Sequence, residues 1–336
     1  MIQHAIHTLI EKNDLTKQEA YECTLEIISG KSTDALIASF LTALRMKGET
    51  VAEISGCAQA MREMATKIES KHKNLIDTCG TGGDGLGTFN ISTITAIVAS
   101  AAGAVVAKHG NRAISSKCGS ADILRSLGVN IEIPKEKVAL CLDDIGIAFL
   151  FAPMHHGAMK YTLPVRREMG IRTVFNVLGP LTNPAGAKRQ LMGVFRPMLT
   201  EVLANVLLDL GTERALVVHG IGGMDEISTV EETRMTEIKE GKISTYTFSS
   251  ESVGIPISTL ADLLGDSIEV NTEIVRSILN GTRGAQRNIV VLNAAAAIYL
   301  YGLSDTIKDG VAIANNVIDS GAAKKKLQQL IDYTNS

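Results

Sequence analysis

From residue 74 onward the chain alternates short β-rich runs with helical stretches, and each β-rich run ends in a loop dense in glycine or charge. NLID (74–77), AVVAKHG (104–110), IAFLFAP (147–153) and RALVVHG (214–220) are the strand candidates, with ISTITAIVASAAG, SADILRSLG and EVLANVLLDLG as helices among them. Helices interposed between successive strands predict a mainly parallel central sheet flanked by helices, an α/β architecture. TRMTEIKEGKISTYTF departs from the rule as a hairpin turning near Glu240 and Gly241, and from residue 258 a mostly helical pattern covers the sheet. Residues 1–70 carry no strand signal. Thr16 and Glu19 form a capping box for a helix that Gly30 ends, Ser32 or Thr33 caps a second that stops at Gly48, and VAEISGCAQAMREMATKIE makes another. Their apolar spacing suits either a small bundle or a face for a second copy. The charged stretch ESKHKN separates the two patterns, so a small helical domain is expected over 1–70 and an α/β domain over 74–336.

With 336 residues, 45% of them hydrophobic, the chain can fill both cores. Its formal charge of −3 is spread over mixed acids and bases, which argues against nucleic acid or an anionic membrane as partner and leaves small molecules. Five cysteines without a C-x-x-C pair suggest neither a disulfide frame nor a zinc site. The start MIQHAIHTLIEKN lacks a basic region followed by an apolar one, and no apolar run is long enough to span a bilayer, so a cytoplasmic location is expected.

Three constellations fall at the carboxyl ends of the strand candidates, where open α/β sheets bind ligands. The first, TCGTGGDGLGTFNIST, crowds Gly80, Gly82, Gly83, Gly85 and Gly87 around Asp84. Glycine-rich backbone closes on anions, yet a carboxylate repels bare phosphate. The conflict disappears if the ligand brings a divalent cation or offers sugar hydroxyls to Asp84. The second, KHGNRAISSKCGSADIL, sets Lys108, Arg112 and Lys117 among Ser115, Ser116 and Ser120 at a helix start, which suits phosphate. The third, GGMDEIS, offers adjacent Asp225 and Glu226, hard oxygens that suit Mg²⁺. Gly80, Gly82 and Gly85 also satisfy G-x-G-x-x-G, but the next strand ends in Lys108, His109 and Arg112 instead of a ribose-holding acid, and Walker A is absent. Asp143 and Asp144 could mimic a ribose-gripping pair; no threonine-glycine loop follows them, so they read as an exposed helix end. Cys118, beside Lys117 and ahead of a predicted helix start, is expected to be a reactive thiolate, and Cys79 a small buried hydrophobe.

These motifs, with HHGAMKYTLPVRREMGIRTVFNVLGPLTNP, resemble the anthranilate phosphoribosyltransferase family over nearly the whole chain. The resemblance implies a fold of the nucleoside phosphorylase/phosphoribosyltransferase type and transfer of phosphoribose from phosphoribosyl pyrophosphate to the amine of anthranilate, in tryptophan synthesis. It implies Mg²⁺, two ions per subunit, on Ser92, Asp225 and Glu226. It implies a phosphoribosyl pyrophosphate cradle of Gly80, Gly83, Asp84, Thr88, Asn90, Ile91, Ser92 and Thr93, walled by Lys108, His109, Gly110, Asn111, Arg112, Ala113, Ile114, Ser115, Ser116 and Ser120. Anthranilate contacts fall to Gly80, Asn111 and Arg166, with His109 and His156 positioning the ring or accepting a proton. A homodimer paired through the helical domain is implied too, with part of 165–190 packed onto those helices. Cys118, Tyr161 and Pro164 depart from the family pattern. Pyrimidine nucleoside phosphorylases, and nucleic-acid-binding relatives that lack the substrate loop, are the alternatives; the intact GTGGD and the acid pair argue against both.

Overall fold

The computed structural model describes residues 1–113 and 118–336. Its elements are α1 (Ile2–Ile10), α2 (Lys17–Ile28), α3 (Asp34–Lys47), α4 (Val51–Met64), β1 (Ile76–Asp77), α5 (Ile91–Ala101), β2 (Val106–Gly110), α6 (Ser120–Ser126), α7 (Lys135–Ile145) and β3 (Ile147–Phe151). There follow α8 (Ala152–His155), α9 (Leu163–Met169), α10 (Phe175–Leu178), β4 (Arg189–Gly193), α11 (Leu199–Asp209), β5 (Arg214–Gly220), β6 (Thr233–Lys239) and β7 (Lys242–Phe248). Four helices close the chain, α12 (Ile268–Leu279), α13 (Ala285–Tyr301), α14 (Ile307–Asp319) and α15 (Ala322–Asn335). None of the described helices is long and apolar enough to cross a membrane.

Local chemistry starts the amino-terminal helices where the sequence says. Thr16 and Glu19 cap α2 reciprocally, Thr50 and Glu53 repeat the device on α4, and Thr33 rather than Ser32 caps α3. Their apolar faces do not form a separate core. Ile27, Phe40, Leu44 and Cys57 share one cluster with Val165, Phe175, Leu178 and Leu181, and with Leu203 and Leu207 of α11. Arg62 reinforces the junction from α4, donating to the carbonyls of Leu181 (2.6 Å) and Leu210 (3.0 Å). Tyr161 lies over Gly30, where a Cβ would come within 2.7 Å of the ring, and Pro164 sits in the first turn of α9, where a missing N–H costs nothing.

Among the described residues seven strands form one sheet in the order β3-β2-β1-β4-β5-β6-β7. The first five run parallel, and β6 and β7 add the expected hairpin, with Glu240 and Gly241 both at positive φ (53° and 72°). The strand β4 escaped the sequence reading. RQLMG contains no β-branched residue, and its place beside β1 comes from burial between neighbours. The omission matters because chain order reverses there: β2 and β3 extend one side of β1, β4 the other. That makes the carboxyl ends of β1 and β4 the topological switch point, where a ligand crevice opens.

Candidate functional site

The glycine loop leaves β1 directly above this switch point. Gly82, Gly83, Gly85 and Gly87 hold φ of 65°, 78°, 79° and 71°, a left-handed run that other residues would strain to adopt. Gly80 serves differently: a Cβ there would sit 2.9 Å from the Gly193 carbonyl, and one on Gly193 would fall 1.5 Å from the Asp225 carbonyl. The ends of β1 and β4 and the loop after β5 therefore stack backbone on backbone, and Thr81 N donates to Gly193 O (2.9 Å).

That stacking delivers three acids to one corner. Asp84 Oδ1 accepts from Leu86 N (3.1 Å), its Oδ2 accepts from Asp225 N (3.4 Å), and Glu226 Oε1 accepts from Ser92 N (3.1 Å). Burial, then the Asp84 charge, raises the Asp225 carboxyl; burial, then the Asp225 charge, raises the Glu226 carboxyl. Buried Lys108 opposes the rise at Glu226, its Nζ donating to Thr78 O, Thr78 Oγ1 and Ser92 Oγ, each at 3.3 Å. Mutually repelling, half-desolvated carboxylates beside a serine hydroxyl fit a hard divalent cation, which would relieve the repulsion.

A second acid, Asp77, is wholly buried at the end of β1 and its carboxyl is pushed up to about 6 by that burial. It accepts from His109 N (3.1 Å) and Asn183 Nδ2 (2.7 Å). Asp77, Cys79 and His109 lie close enough to suggest a metal cluster. Both Asp77 oxygens are engaged, however, and burial followed by the Asp77 charge raises the Cys79 thiol, so a thiolate ligand is disfavoured. His109 Nδ1 faces the Gly179 carbonyl (3.1 Å), which can only accept, so Nδ1 carries the proton. Its Nε2 and that of His156 are buried without partners among the described residues, in rings 5.1 Å apart. Burial lowers both histidines, which are neutral at pH 7.

The opposite wall follows β2. Gly110 is required because a Cβ would strike Ser120 Oγ at 2.3 Å; that hydroxyl donates to Asn111 O (3.2 Å) at the start of α6. Ala113 N and Gly119 N both donate to Asp122, while Arg112 pairs with Glu132 (3.1 Å) and lies over Phe151. Ile114, Ser115 and Ser116 lie outside the described residues. Thr88 bridges to Leu264, and Asn90 Nδ2 donates to Cys118 O (3.0 Å). Ile91 and Thr93 turn their side chains into the core. Cys118 corrects the expectation of a thiolate: it is buried in the main hydrophobic cluster, and desolvation raises its thiol. Position near a helix start does not outweigh removal from water.

Arg166 on α9 lies half-buried, 5.3 Å from the Phe175 ring centre, with no carboxylate paired to it among the described residues. Arg172, which the sequence reading passed over, donates from Nη2 to the Gly83 carbonyl and stacks 4.3 Å from the Phe195 ring centre. No local signal marks it, since its partners are remote in sequence.

A helical bundle joined to an α/β unit whose switch point carries a glycine cradle and an acid corner defines a class, and comparison agrees. A family model described as "Glycosyl transferase family, helical bundle domain" matches residues 3–65, and "Glycosyl transferase family, a/b domain" matches 72–324. An anthranilate phosphoribosyltransferase of Acetivibrio thermocellus is 51% identical, covering 100% of this chain and 97% of its own. The crystal structure of the Thermus thermophilus enzyme of that name superposes with a TM-score of 0.94 at 41% identity, covering 99% of both chains. The Saccharomyces cerevisiae one, solved in complex with PRPP (phosphoribosyl pyrophosphate) and Mg, gives 0.90 at 26% identity and covers 99% of this chain and 98% of its own. The chain belongs to the anthranilate phosphoribosyltransferase family.

Proposed function

We propose that the chain transfers the 5-phosphoribosyl group of phosphoribosyl pyrophosphate to the amine of anthranilate, giving N-(5-phosphoribosyl)anthranilate and pyrophosphate, the second step of tryptophan biosynthesis from chorismate. The observation that carries this reading is the meeting of the glycine loop, Lys108 and the Asp84, Asp225 and Glu226 corner at one switch point, within a chain of this family. In the proposal Gly80, Gly83, Asp84, Thr88 and residues 90–93 form one wall of the cradle. Residues 108–113 and Ser120 form the other. Magnesium, two ions per subunit, would be held by Ser92, Asp225 and Glu226 next to Asp84. Bound there, it would supply positive charge to the pyrophosphate leaving group.

Breaking the bond at ribose C1 builds positive charge on the sugar and negative charge on pyrophosphate, so fixed charge and alignment supply most of the catalysis. Lys108, buried and held by Thr78 and Ser92, presents a cation that needs no reorganisation. Arg166, whose planar fork matches a carboxylate, aims the acceptor together with Asn111. The aniline nitrogen is already neutral at pH 7, so neutral His109 and His156 position the ring and no strong base is required. With its proton on Nδ1, His109 Nε2, which has no partner among the described residues, is an acceptor available to the amine.

The boundaries 1–70 and 74–336 belong to this proposal, supported by the two matched spans. So does a homodimer through the helical domain, in keeping with exposed Ile10 and Met46, to be checked by light scattering. A cytoplasmic location accompanies it, since the highly charged donor does not cross bilayers unaided. The decisive assay follows product fluorescence from anthranilate, phosphoribosyl pyrophosphate and Mg²⁺; absence of turnover by the purified chain overturns the reading.

A further inference from the structure

Several arginines at the surface of this molecule find an acid. Arg112 and Arg125 share Glu132, Arg234 pairs with Glu201, and Arg283 with Asp319. Arg172 is equally exposed, yet its guanidinium is committed to a backbone carbonyl and an aromatic face. The carbonyl belongs to Gly83 in the glycine loop, and the aromatic face to Phe195, just beyond β4. A planar guanidinium can donate in its plane while stacking on a ring, which is the combination found here.

The position of Arg172 along the chain gives this contact its consequence. Gly170, at φ 62°, ends α9; Thr173 N donates to Asn176 Oδ1 (2.9 Å) as α10 begins; Arg172 occupies the short link between them. Arg166 stands on α9 and Phe175, the ring beneath it, on α10, so the link joins the two halves of the proposed acceptor site. At its other end, the bond to Gly83 O holds the planar peptide whose N–H belongs to Asp84. The Asp84 carboxylate in turn accepts from Asp225 N in the acid corner.

We propose that Arg172 is a positioning residue that couples the acceptor segment to the glycine loop, so that anthranilate on Arg166 tightens the loop's hold on the magnesium-bound phosphates. This inference rests on the transferase reading above. Ordering α9, the link and α10 around an acceptor places Arg172, and Arg172 places the Gly83–Asp84 peptide. By linkage the effect is reciprocal: occupancy of the loop tightens acceptor binding by the same factor.

The test uses a pair of ligands that cannot react. Magnesium pyrophosphate is titrated calorimetrically into the full chain with and without saturating anthranilate, for the wild type, Arg172→Ala, Arg172→Lys and Phe195→Leu. The wild type is expected to bind pyrophosphate about tenfold more tightly when anthranilate is present, within the usual span of coupling between sites. Arg172→Ala should bring that ratio below about twofold. Arg172→Lys and Phe195→Leu should fall between, because lysine reaches a carbonyl without stacking and leucine leaves the bond without its platform. A wild-type ratio of one, or a ratio retained by Arg172→Ala, overturns the coupling. Turnover of phosphoribosyl pyrophosphate and anthranilate by the wild type is read separately: its absence overturns the transferase reading, whereas normal turnover with an unchanged ratio in Arg172→Ala overturns this inference alone.

Discussion

Asp143–Asp144 at the end of α7 and Asp225–Glu226 beyond β5 are both adjacent acid pairs, and the structure treats them in opposite ways. Asp143 is already satisfied: it accepts from Ser70 Oγ (2.7 Å) and Lys71 N (2.8 Å), while Asp144 accepts from Tyr333 OH (2.6 Å). Burial alone would raise the Asp143 carboxyl, but those donors, with the charges of Lys71 and His72, hold it below the usual range. Asp225 and Glu226 are raised instead, because burial and neighbouring carboxylates act together and the donors nearby do not compensate. The first pair sits at the end of α7 with Asp144 exposed, as the sequence suggested, and there it ties α7 to other parts of the chain. The second is a charge imbalance that a cation would complete. Two acids side by side therefore carry little information; the donors around them decide their use.

The largest effect that could break this contrast comes from Asp225→Asn with Glu226→Gln. Transferase activity is expected to fall at least about a hundredfold, or ~2.7 kcal/mol of transition-state stabilisation. Near-normal turnover at limiting Mg²⁺ would falsify the assignment. The same variant carries a pH signature. Because folded-state pKa values at the pair are raised, their contribution to stability is intact below about pH 4 and is lost as pH rises through the raised values. Metal-free wild type should lose melting temperature relative to the double variant over that rise, and added Mg²⁺ should restore it.

A cation with no carboxylate paired to it among the described residues sharpens the comparison from the other sign of charge. Arg166→Ala is expected to raise the Michaelis constant for anthranilate by about 10- to 100-fold, as for a lost charged hydrogen bond, and to leave that for phosphoribosyl pyrophosphate nearly unchanged. The reverse pattern in steady-state titrations would move Arg166 to the phosphate wall.

Asp143→Asn should behave as the mirror image of the acid-corner variant, costing about 1–2 kcal/mol of stability at pH 7 with turnover intact. A lowered folded-state pKa contributes stability above the unfolded value and loses it as pH falls through the folded one, so denaturation midpoints of variant and wild type should converge in acid. Unchanged stability at neutral pH would show that Asp143 is not a tie. The smallest effect belongs to Cys118, which the structure puts with the buried groups: in native protein at neutral pH, alkylation measured by mass spectrometry should leave it unlabelled. Labelling of Cys118 faster than global unfolding would return it to the ligand-facing side.

Much of the architecture was legible because it is written in short-range chemistry. Four parallel strands, the hairpin at Glu240 and Gly241, and the Thr16–Glu19 cap all follow from side-chain periodicity, φ preferences and local hydrogen bonds. Strand β4 was not legible, since RQLMG has weak strand propensity and is held by parallel partners on both sides. Arg172 was missed for the same kind of reason: its contact with Gly83 joins residues 89 positions apart.

The amino-acid order by itself determined where glycine gives the chain a left-handed loop, where acids and lysine stand at strand ends, and which family the motifs resemble. Tertiary structure alone decided which of those groups meet. Gly80, Gly193 and the Asp225 carbonyl touch only because three chain segments converge without room for a Cβ, and that convergence brings Asp84 against the Asp225 amide 141 positions away. It also removed Cys118 from water, cancelling the electrostatic pull toward thiolate that its neighbours in sequence implied. Charge and backbone preference are properties of residues, whereas desolvation and close approach are properties of the packed chain.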